Sequence, residues 1–245
     1  SPVMHGEDIL ISEDQYKQQI RGTMLILWNV YNFFVTYATV DEWKPGKKEV
    51  LESKNILDMW ILARLQEVIE AVTKSLEKYD TVTAIDTLKA FVDDFSTWYI
   101  RRSRDRVGPT ADNEEDKEAF YQTTHHVLIT LTKLFAPITP FLAEAIYTNI
   151  TEEESVHLSD WPTFAKASAG KPRLMEDMVV VRKIVEVALS QRKNAQLKVR
   201  QPLASLATVT PEPLPDAFKD LIKAEVNVQE VTNKVGEFAV TLDIK

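Results

Sequence analysis

The sequence predicts a mainly α-helical protein, in which a bundle of four or five amphipathic helices precedes a small α+β domain. Up to residue 194, apolar side chains recur at steps of three and four, with short polar breaks between the runs. After residue 202 the pattern changes to the alternation that is typical of half-buried strands. The chain of 245 residues holds only 6 glycines, which disfavours loop-rich and dinucleotide-binding folds.

The predicted bundle covers residues 12–164, and its first helix starts at Ser12 with the form of a capping box. The apolar faces of its long helices are Ile20, Met24, Leu27, Tyr31, Phe34 and Ala38; Leu57, Ile61, Leu65, Val68, Val72 and Leu76; Val82, Ile85, Leu88, Val92, Phe95 and Tyr99; and Phe120, Thr124, Val127, Leu131 and Leu134. Gly108 and Pro109 end the third helix, and Pro137 and Pro140 bracket a kink before a short continuation over residues 141–150.

The remainder of the chain is predicted to form a separate domain over residues 174–245, after a small-residue linker at 165–173. Its expected elements are a helix at 174–194, a strand at 203–210, a short helix at 215–226, and strands at 228–232 and 237–244. At the other end, residues 1–11 read as an irregular connecting segment. Because the chain starts at Ser1 without a methionine, we expect it to be a fragment or a processed chain.

Composition excludes several classes of site. The chain has no cysteine, so disulfides and thiolate metal sites are excluded, and its 4 histidines are too scattered for a metal motif. There is no glycine-rich phosphate loop and no nucleophile elbow. Adjacent carboxylates such as Asp93 and Asp94 point in different directions on a helix. We therefore expect no catalytic residue, no metal and no cofactor in this chain, no membrane association, and a cytoplasmic location.

Two cationic patches stand out on a chain whose net charge is −8. Residues 98–106, the first patch, carry four arginines against one acid, a net charge of +3. Residues 182–202, the second patch, carry six basic residues against one acid, a net charge of +5. Such segregation of charge indicates an anionic ligand that is steered to the protein.

The residue types of the first patch suit RNA. Arginine binds phosphate with two parallel hydrogen bonds, and an exposed Trp98 ring would give an unpaired base a stacking surface. The alternative is that Trp98 belongs to the core and the arginines pair with helix acids, namely Asp93, Asp94 or Asp105. In the second patch, Pro202 disfavours helix in the preceding residue, so Arg200 and Gln201 should be extended and reach outward. There the alternative is a solvated, charged edge.

Several segments resemble the class I aminoacyl-tRNA synthetases. Residues 91–106, 135–147 and 155–162 resemble the anticodon-binding bundle that the isoleucine, valine and leucine enzymes share, and residues 57–65 fit its first helix. The two discriminating segments, residues 183–203 and 224–231, are similar to isoleucyl-tRNA synthetase. This resemblance extends over essentially the whole chain. It implies a class I synthetase anticodon-binding helical bundle followed by a small α+β domain.

The resemblance also implies a parent enzyme. That enzyme would activate isoleucine with ATP and Mg²⁺, transfer it to tRNA and edit mischarged valine, since one methylene gives only about 1–3 kcal/mol of discrimination. The family's two catalytic signature motifs do not occur here, so we expect this chain to be inactive alone. Its expected partners are isoleucine tRNA and the enzyme's own catalytic domain, with the protein a monomer.

For the bound tRNA, the sequence and the resemblance together predict seven contact residues: Trp98, Arg101, Arg102, Arg104, Arg192, Lys198 and Arg200. Two departures from the family are visible. The family continues with an aromatic residue after Arg106, where this chain has Val107, and some members carry a cysteine-rich zinc module that is absent here. Rival interpretations are a stand-alone tRNA-binding module, a non-catalytic helical scaffold, and the equivalent part of a valyl-tRNA synthetase.

Overall fold

The computed structural model describes residues 12–14, 17, 20–46, 53–109, 111–163 and 172–244. The chain divides into two compact units, residues 1–170 and residues 171–245. The predicted connection at residues 1–11 lies outside the described residues, as do most of the predicted linker and Gln15 of the capping box.

The first unit is a helical bundle, as its apolar periodicity predicts. Its helices are α1 (Leu25–Val40), α2 (Ile56–Glu77), α3 (Thr81–Asp94), α4 (Glu114–Phe135) and α5 (Pro140–Ile150). Most of the predicted inward faces form the core, and the fully buried residues are Ile61, Leu65, Val68, Val72, Leu88, Val127, Leu131 and Leu134. Met24, predicted to face inward on the first helix, is 36% exposed. Helix α2 packs against both α3 and α4, so the apolar stripe of α2 lies at the centre of the unit.

The third helix differs from its prediction. Instead of running as one α-helix to Gly108, α3 ends at Asp94 and continues as a π-helical turn (Phe95–Ile100) and a 3₁₀ segment (Arg101–Arg106). The chain then turns at Gly108, whose φ of 88° is in the region that glycine adopts without strain. The side chains of the first patch therefore point in directions that differ from those expected for a continuous α-helix.

The second unit holds the mixed elements that the alternating tail predicts. Helix α6 (Pro172–Asn194) is followed by β1 (Leu203–Thr210), α7 (Asp216–Val226), β2 (Val228–Val235) and β3 (Ala239–Leu242). The sheet has the order β2-β1-β3, with β1 parallel to β2 and antiparallel to β3. Its core contains Val181, Ile184, Ala188, Leu206 and Ile222, none of which is exposed.

Helix α4 begins at a side-chain cap that can be tested. The Asn113 Oδ1 accepts a hydrogen bond of 3.1 Å from the backbone N–H of Asp116, one of the donors that a helix start otherwise leaves unpaired. We expect Asn113→Ala to lower the free energy of unfolding by about 1 kcal/mol, measured by urea titration. Asn113→Ser, which keeps a capping oxygen, should cost much less. Equal losses in both variants would contradict a capping role.

Candidate nucleic-acid interface

The last arginine of the first patch is buried by a pair of carboxylates. The Arg106 guanidinium donates from Nη1 and Nη2 to the two Asp58 oxygens at 2.7 and 2.8 Å. It also donates from Nε and Nη2 to Asp116 at 2.8 Å in each case. Its side chain is 9% exposed, and that of Asp58 is 0% exposed. Arg106 therefore fixes the end of the patch to α2 and α4 and is not available to an external anion.

Tyr99 joins the same network from inside the bundle. Its hydroxyl donates to Asp58 at 2.8 Å, and its ring stacks between Phe95 at 5.7 Å and Phe120 at 5.8 Å. Burial raises the pKa of Tyr99, and the negative charge of Asp58 raises it further, so the hydroxyl stays protonated and donates. For Arg106, burial lowers the pKa, but its hydrogen bonds to Asp58 and Asp116 and the negative charge of Asp58 act together in the opposite direction, and the net pKa is raised.

The π-helical turn determines how Arg101 is presented. The backbone N–H of Arg101 donates to the carbonyl of Ser96, five residues earlier, which is the π-helical pattern. Its side-chain Nε donates to the carbonyl of Thr97 at 2.9 Å. Arg101 is nevertheless an exposed residue. The turn thus anchors the inner part of the guanidinium while the residue remains at the surface.

The other predicted contacts of the first patch differ in exposure. Arg104 is exposed, and its guanidinium carbon lies 6.0 Å from the centroid of the Phe33 ring, a cation–π distance. Trp98 and Arg102 are half-buried. The core aromatic of this segment is Tyr99, and Asp94 pairs with Arg64 at 3.3 Å. The first patch therefore offers Arg101 and Arg104 as its exposed cations, with Trp98 and Arg102 partly accessible.

In the second unit, Arg192 does not fit the prediction of a direct contact. The side chain is 1% exposed, and its Nη atoms donate to the backbone carbonyls of Lys198, Gln201 and Asn227 at 3.1, 2.9 and 2.8 Å. Burial lowers the pKa of its guanidinium. A group enclosed in this way cannot reach a phosphate on another molecule. This burial could not be predicted from residue types, because the acceptors are backbone carbonyls, which every residue has.

The other two predicted contacts of the second patch are at the surface. Lys198 and Arg200 are exposed, and Val199 between them is 49% exposed. Lys193, at the end of α6, is exposed as well, although the prediction did not include it. These residues give the segment from the end of α6 to β1 a cationic surface without an acidic neighbour in the sequence.

The described residues do not contain a convergent metal site. Across residues 12–14, 17, 20–46, 53–109, 111–163 and 172–244, no three histidine, cysteine or acidic side chains come together in a way that could hold a metal ion. In the same described segments, no helix is sufficiently long and apolar to cross a membrane.

Curated relatives of the chain are isoleucine–tRNA ligases. The chain is 39% identical over 226 residues to the ligase of Clostridium novyi, with 90% of this chain and 22% of the relative covered. It is 41% identical over 241 residues to the ligase of Deinococcus radiodurans, covering 95% and 22%. The ligase of Protochlamydia amoebophila is 38% identical over 245 residues, covering 97% and 23%. This chain thus spans less than a quarter of the length of each of these relatives.

Among solved structures, a ternary complex of Agrobacterium radiobacter K84 agnB2 LeuRS with tRNA and LeuAMS is similar at a TM-score of 0.42 and 17% identity. That match covers 95% of this chain and 26% of the other. The model of the family described as "Anticodon-binding domain of tRNA ligase" matches residues 58–208, which include both cationic patches. The resemblance found in the sequence is confirmed, and the chain belongs to the family of anticodon-binding domains of tRNA ligases.

Proposed function

We propose that this chain binds the anticodon stem and loop of isoleucine tRNA, as the docking part of an isoleucine–tRNA ligase. The observation that carries the proposal is the family match over residues 58–208, which encloses both patches. Within it, Arg101, Arg104, Lys198 and Arg200 are exposed cations. Contacts to phosphates fix the register of a nucleic acid, and a few base contacts then specify it.

The proposal assigns the ligation chemistry elsewhere. Activation of isoleucine with ATP and Mg²⁺ would take place in a part of the parent enzyme outside this chain, which covers 22% of the Clostridium novyi relative. The chain alone should therefore charge no tRNA in an aminoacylation assay, and the whole protein would act in the cytoplasm as a monomer. The role of this chain is positional: docking of the anticodon end places the acceptor end in a distant active site.

The test is a titration of the 245-residue chain with an isoleucine tRNA transcript and a noncognate transcript over a range of salt concentrations. Each lost phosphate contact lowers the slope of log affinity against log salt by about 1. At about 0.1 M salt such a contact accounts for roughly five- to tenfold in affinity. We expect Arg101→Ala with Arg104→Ala, and Lys198→Ala with Arg200→Ala, each to weaken binding by roughly 25- to 100-fold.

A charge-matched control uses Lys78 and Lys223, which are exposed and lie outside both patches. Their joint replacement by alanine removes the same two charges and should change the affinity by less than about threefold, because distant charges are screened. If the control weakened binding as much as the patch variants, the patches would have no special role. A helical scaffold predicts no salt-dependent tRNA binding at all. A preference for a valine tRNA over an isoleucine tRNA would favour the valyl interpretation.

A further inference from the structure

Arg192 connects three separate points of the backbone in the second unit. From the end of α6, its Nη1 donates to the carbonyls of Lys198 and Gln201, and its Nη2 donates to the carbonyl of Asn227. Lys198 and Gln201 lie in the loop of residues 195–202, and Asn227 lies between α7 and β2. A single side chain therefore ties the loop to the end of α6 and to the junction between α7 and β2.

Asn227 makes a second tie to the same loop. Its backbone is left-handed, with a φ of 55°, and its side-chain Nδ2 donates to the carbonyl of Val199 at 2.9 Å. Its own carbonyl also accepts from the N–H of Leu203 at 3.1 Å, where β1 begins. Arg192 and Asn227 together thus bind the carbonyls of Lys198, Val199 and Gln201.

This arrangement decides which way the loop faces. The three carbonyls point towards Arg192 and Asn227, which together are called the clamp. The hydrogen bonds therefore hold the loop by the side of its backbone that faces the protein. The side chains of Lys198, Val199 and Arg200 are left at the surface. The loop is closed at its start as well, where the N–H of Leu197 donates to the carbonyl of Arg192 at 2.9 Å.

The chemistry of the clamp requires arginine. Two Nη groups in a rigid plane reach three carbonyls at once, whereas a lysine ammonium is a single point on a flexible stem. An apolar residue of similar volume would fill the space but leave the Gln201 carbonyl without its donor. The carbonyls of Lys198 and Asn227 would keep only their backbone donors, the N–H groups of Gln201 and Leu203. The Arg192 Nε has no hydrogen-bond partner among the described residues, so the two Nη groups alone bind the carbonyls.

We propose that Arg192 is a positioning residue: with Asn227 it holds the loop of residues 195–202 in the form that presents Lys198 and Arg200 to the tRNA phosphates. This inference rests on the proposed function. A loop that is ordered before binding does not lose that conformational freedom on association, so the clamp raises affinity without touching the ligand. Arg192 is thereby distinct from the direct contacts.

The experiment is a double-mutant cycle on tRNA affinity in the 245-residue chain, with an isoleucine tRNA transcript at fixed salt. Arg192→Met should weaken binding by roughly tenfold in the wild-type background. In the background of Lys198→Ala with Arg200→Ala, the same change should weaken binding by less than about twofold, because the cations that it positions are gone. Hydrogen exchange should be faster at the Leu197 and Gln201 amides in Arg192→Met, and unchanged at Leu206 in β1.

The matched control is Lys193→Met, which removes the same charge from the adjacent, exposed position. Its effect on tRNA affinity should be equal in both backgrounds, since the charge of Lys193 attracts the tRNA independently of Lys198 and Arg200. If Arg192→Met were also additive, or bound tRNA as tightly as the wild type, Arg192 would not be a positioning residue. If Lys198→Ala with Arg200→Ala bound normally, the failure would lie with the proposed tRNA contacts instead.

Asn227→Gly decides the matter if Arg192→Met does not fold. Glycine keeps the left-handed backbone and the carbonyl that accepts from Arg192, and removes only the tie to Val199. We expect about threefold weaker tRNA binding and faster loop exchange, again with no added effect when Lys198 and Arg200 are alanine. Unchanged loop exchange in Asn227→Gly would overturn the inference.

Discussion

Asp58→Ala is expected to lower the free energy of unfolding of the helical bundle by about 3–5 kcal/mol, because it leaves a buried guanidinium without its main partner. Asp58 is fully buried and accepts from both Nη atoms of Arg106 and from the hydroxyls of Tyr99 and Ser53. In the variant, Asp116 still accepts from Nε and Nη2 of Arg106, but Nη1 loses its carboxylate acceptor. Arg106 would lose one of its two carboxylate partners, and the hydroxyls of Tyr99 and Ser53 would lose the acceptor that they share with it.

Chemical unfolding in urea, followed by circular dichroism, measures this loss. Asp93→Ala is the control, since Asp93 is an exposed carboxylate of the same bundle and its removal should cost less than about 0.5 kcal/mol. In a double-mutant cycle, Arg106→Met should cost much less when Asp58 is already alanine. Additive costs would show that the two side chains do not stabilise the fold as a pair.

Phe95→Ala is expected to cost about 3–5 kcal/mol in the same measurement, the range for a large aromatic side chain removed from a closed core. Phe95 is 0% exposed, and its ring lies 6.1 Å from that of Phe91 and 5.7 Å from that of Tyr99. The void would open in the π-helical turn, directly before the exposed arginines. Phe95→Leu, which keeps part of the volume, should cost less.

Phe141→Ala provides the matched comparison, because Phe141 is 90% exposed and its removal leaves no cavity. Its cost should stay within about 0.5 kcal/mol. If Phe95→Ala were no more destabilising than Phe141→Ala, the stacked rings would not be part of the stabilising core.

The helices of the bundle could be predicted because their signal is local. Leu65 and Leu131 lie in apolar stripes with helical spacing, and both are fully buried. Whether an individual arginine is buried or exposed depends on contacts with distant parts of the chain. Arg106 meets Asp58 across 48 positions of sequence, and charge counting cannot distinguish it from Arg104, which stays exposed. Two of the patch arginines were therefore counted as surface charge although the fold encloses them.

The change of helical geometry after Asp94 could not be predicted either. Apolar residues continue at Phe95 and Tyr99 with a spacing of four, which an α-helix satisfies equally well. Within the π-helical turn the Tyr99 ring stacks on Phe120 from α4, a contact between distant parts of the chain that the local pattern does not contain. Tertiary packing thus overrides the local preference at the point where the cationic residues begin.

The π-helical turn at Phe95–Ile100 makes the cationic surface sensitive to chain length. Each residue of an α-helix advances the chain by about 100° around the axis, and a π-helical turn holds about one residue more than an α-helical turn. Deleting one residue there would let α-helix continue and would rotate every following side chain by about a quarter of a circle. The direction in which Arg101 and Arg104 point around the helix axis is thus set by the number of residues in the turn that precedes them. Among related chains, an insertion or deletion in this turn would redirect the cationic surface more than a substitution would.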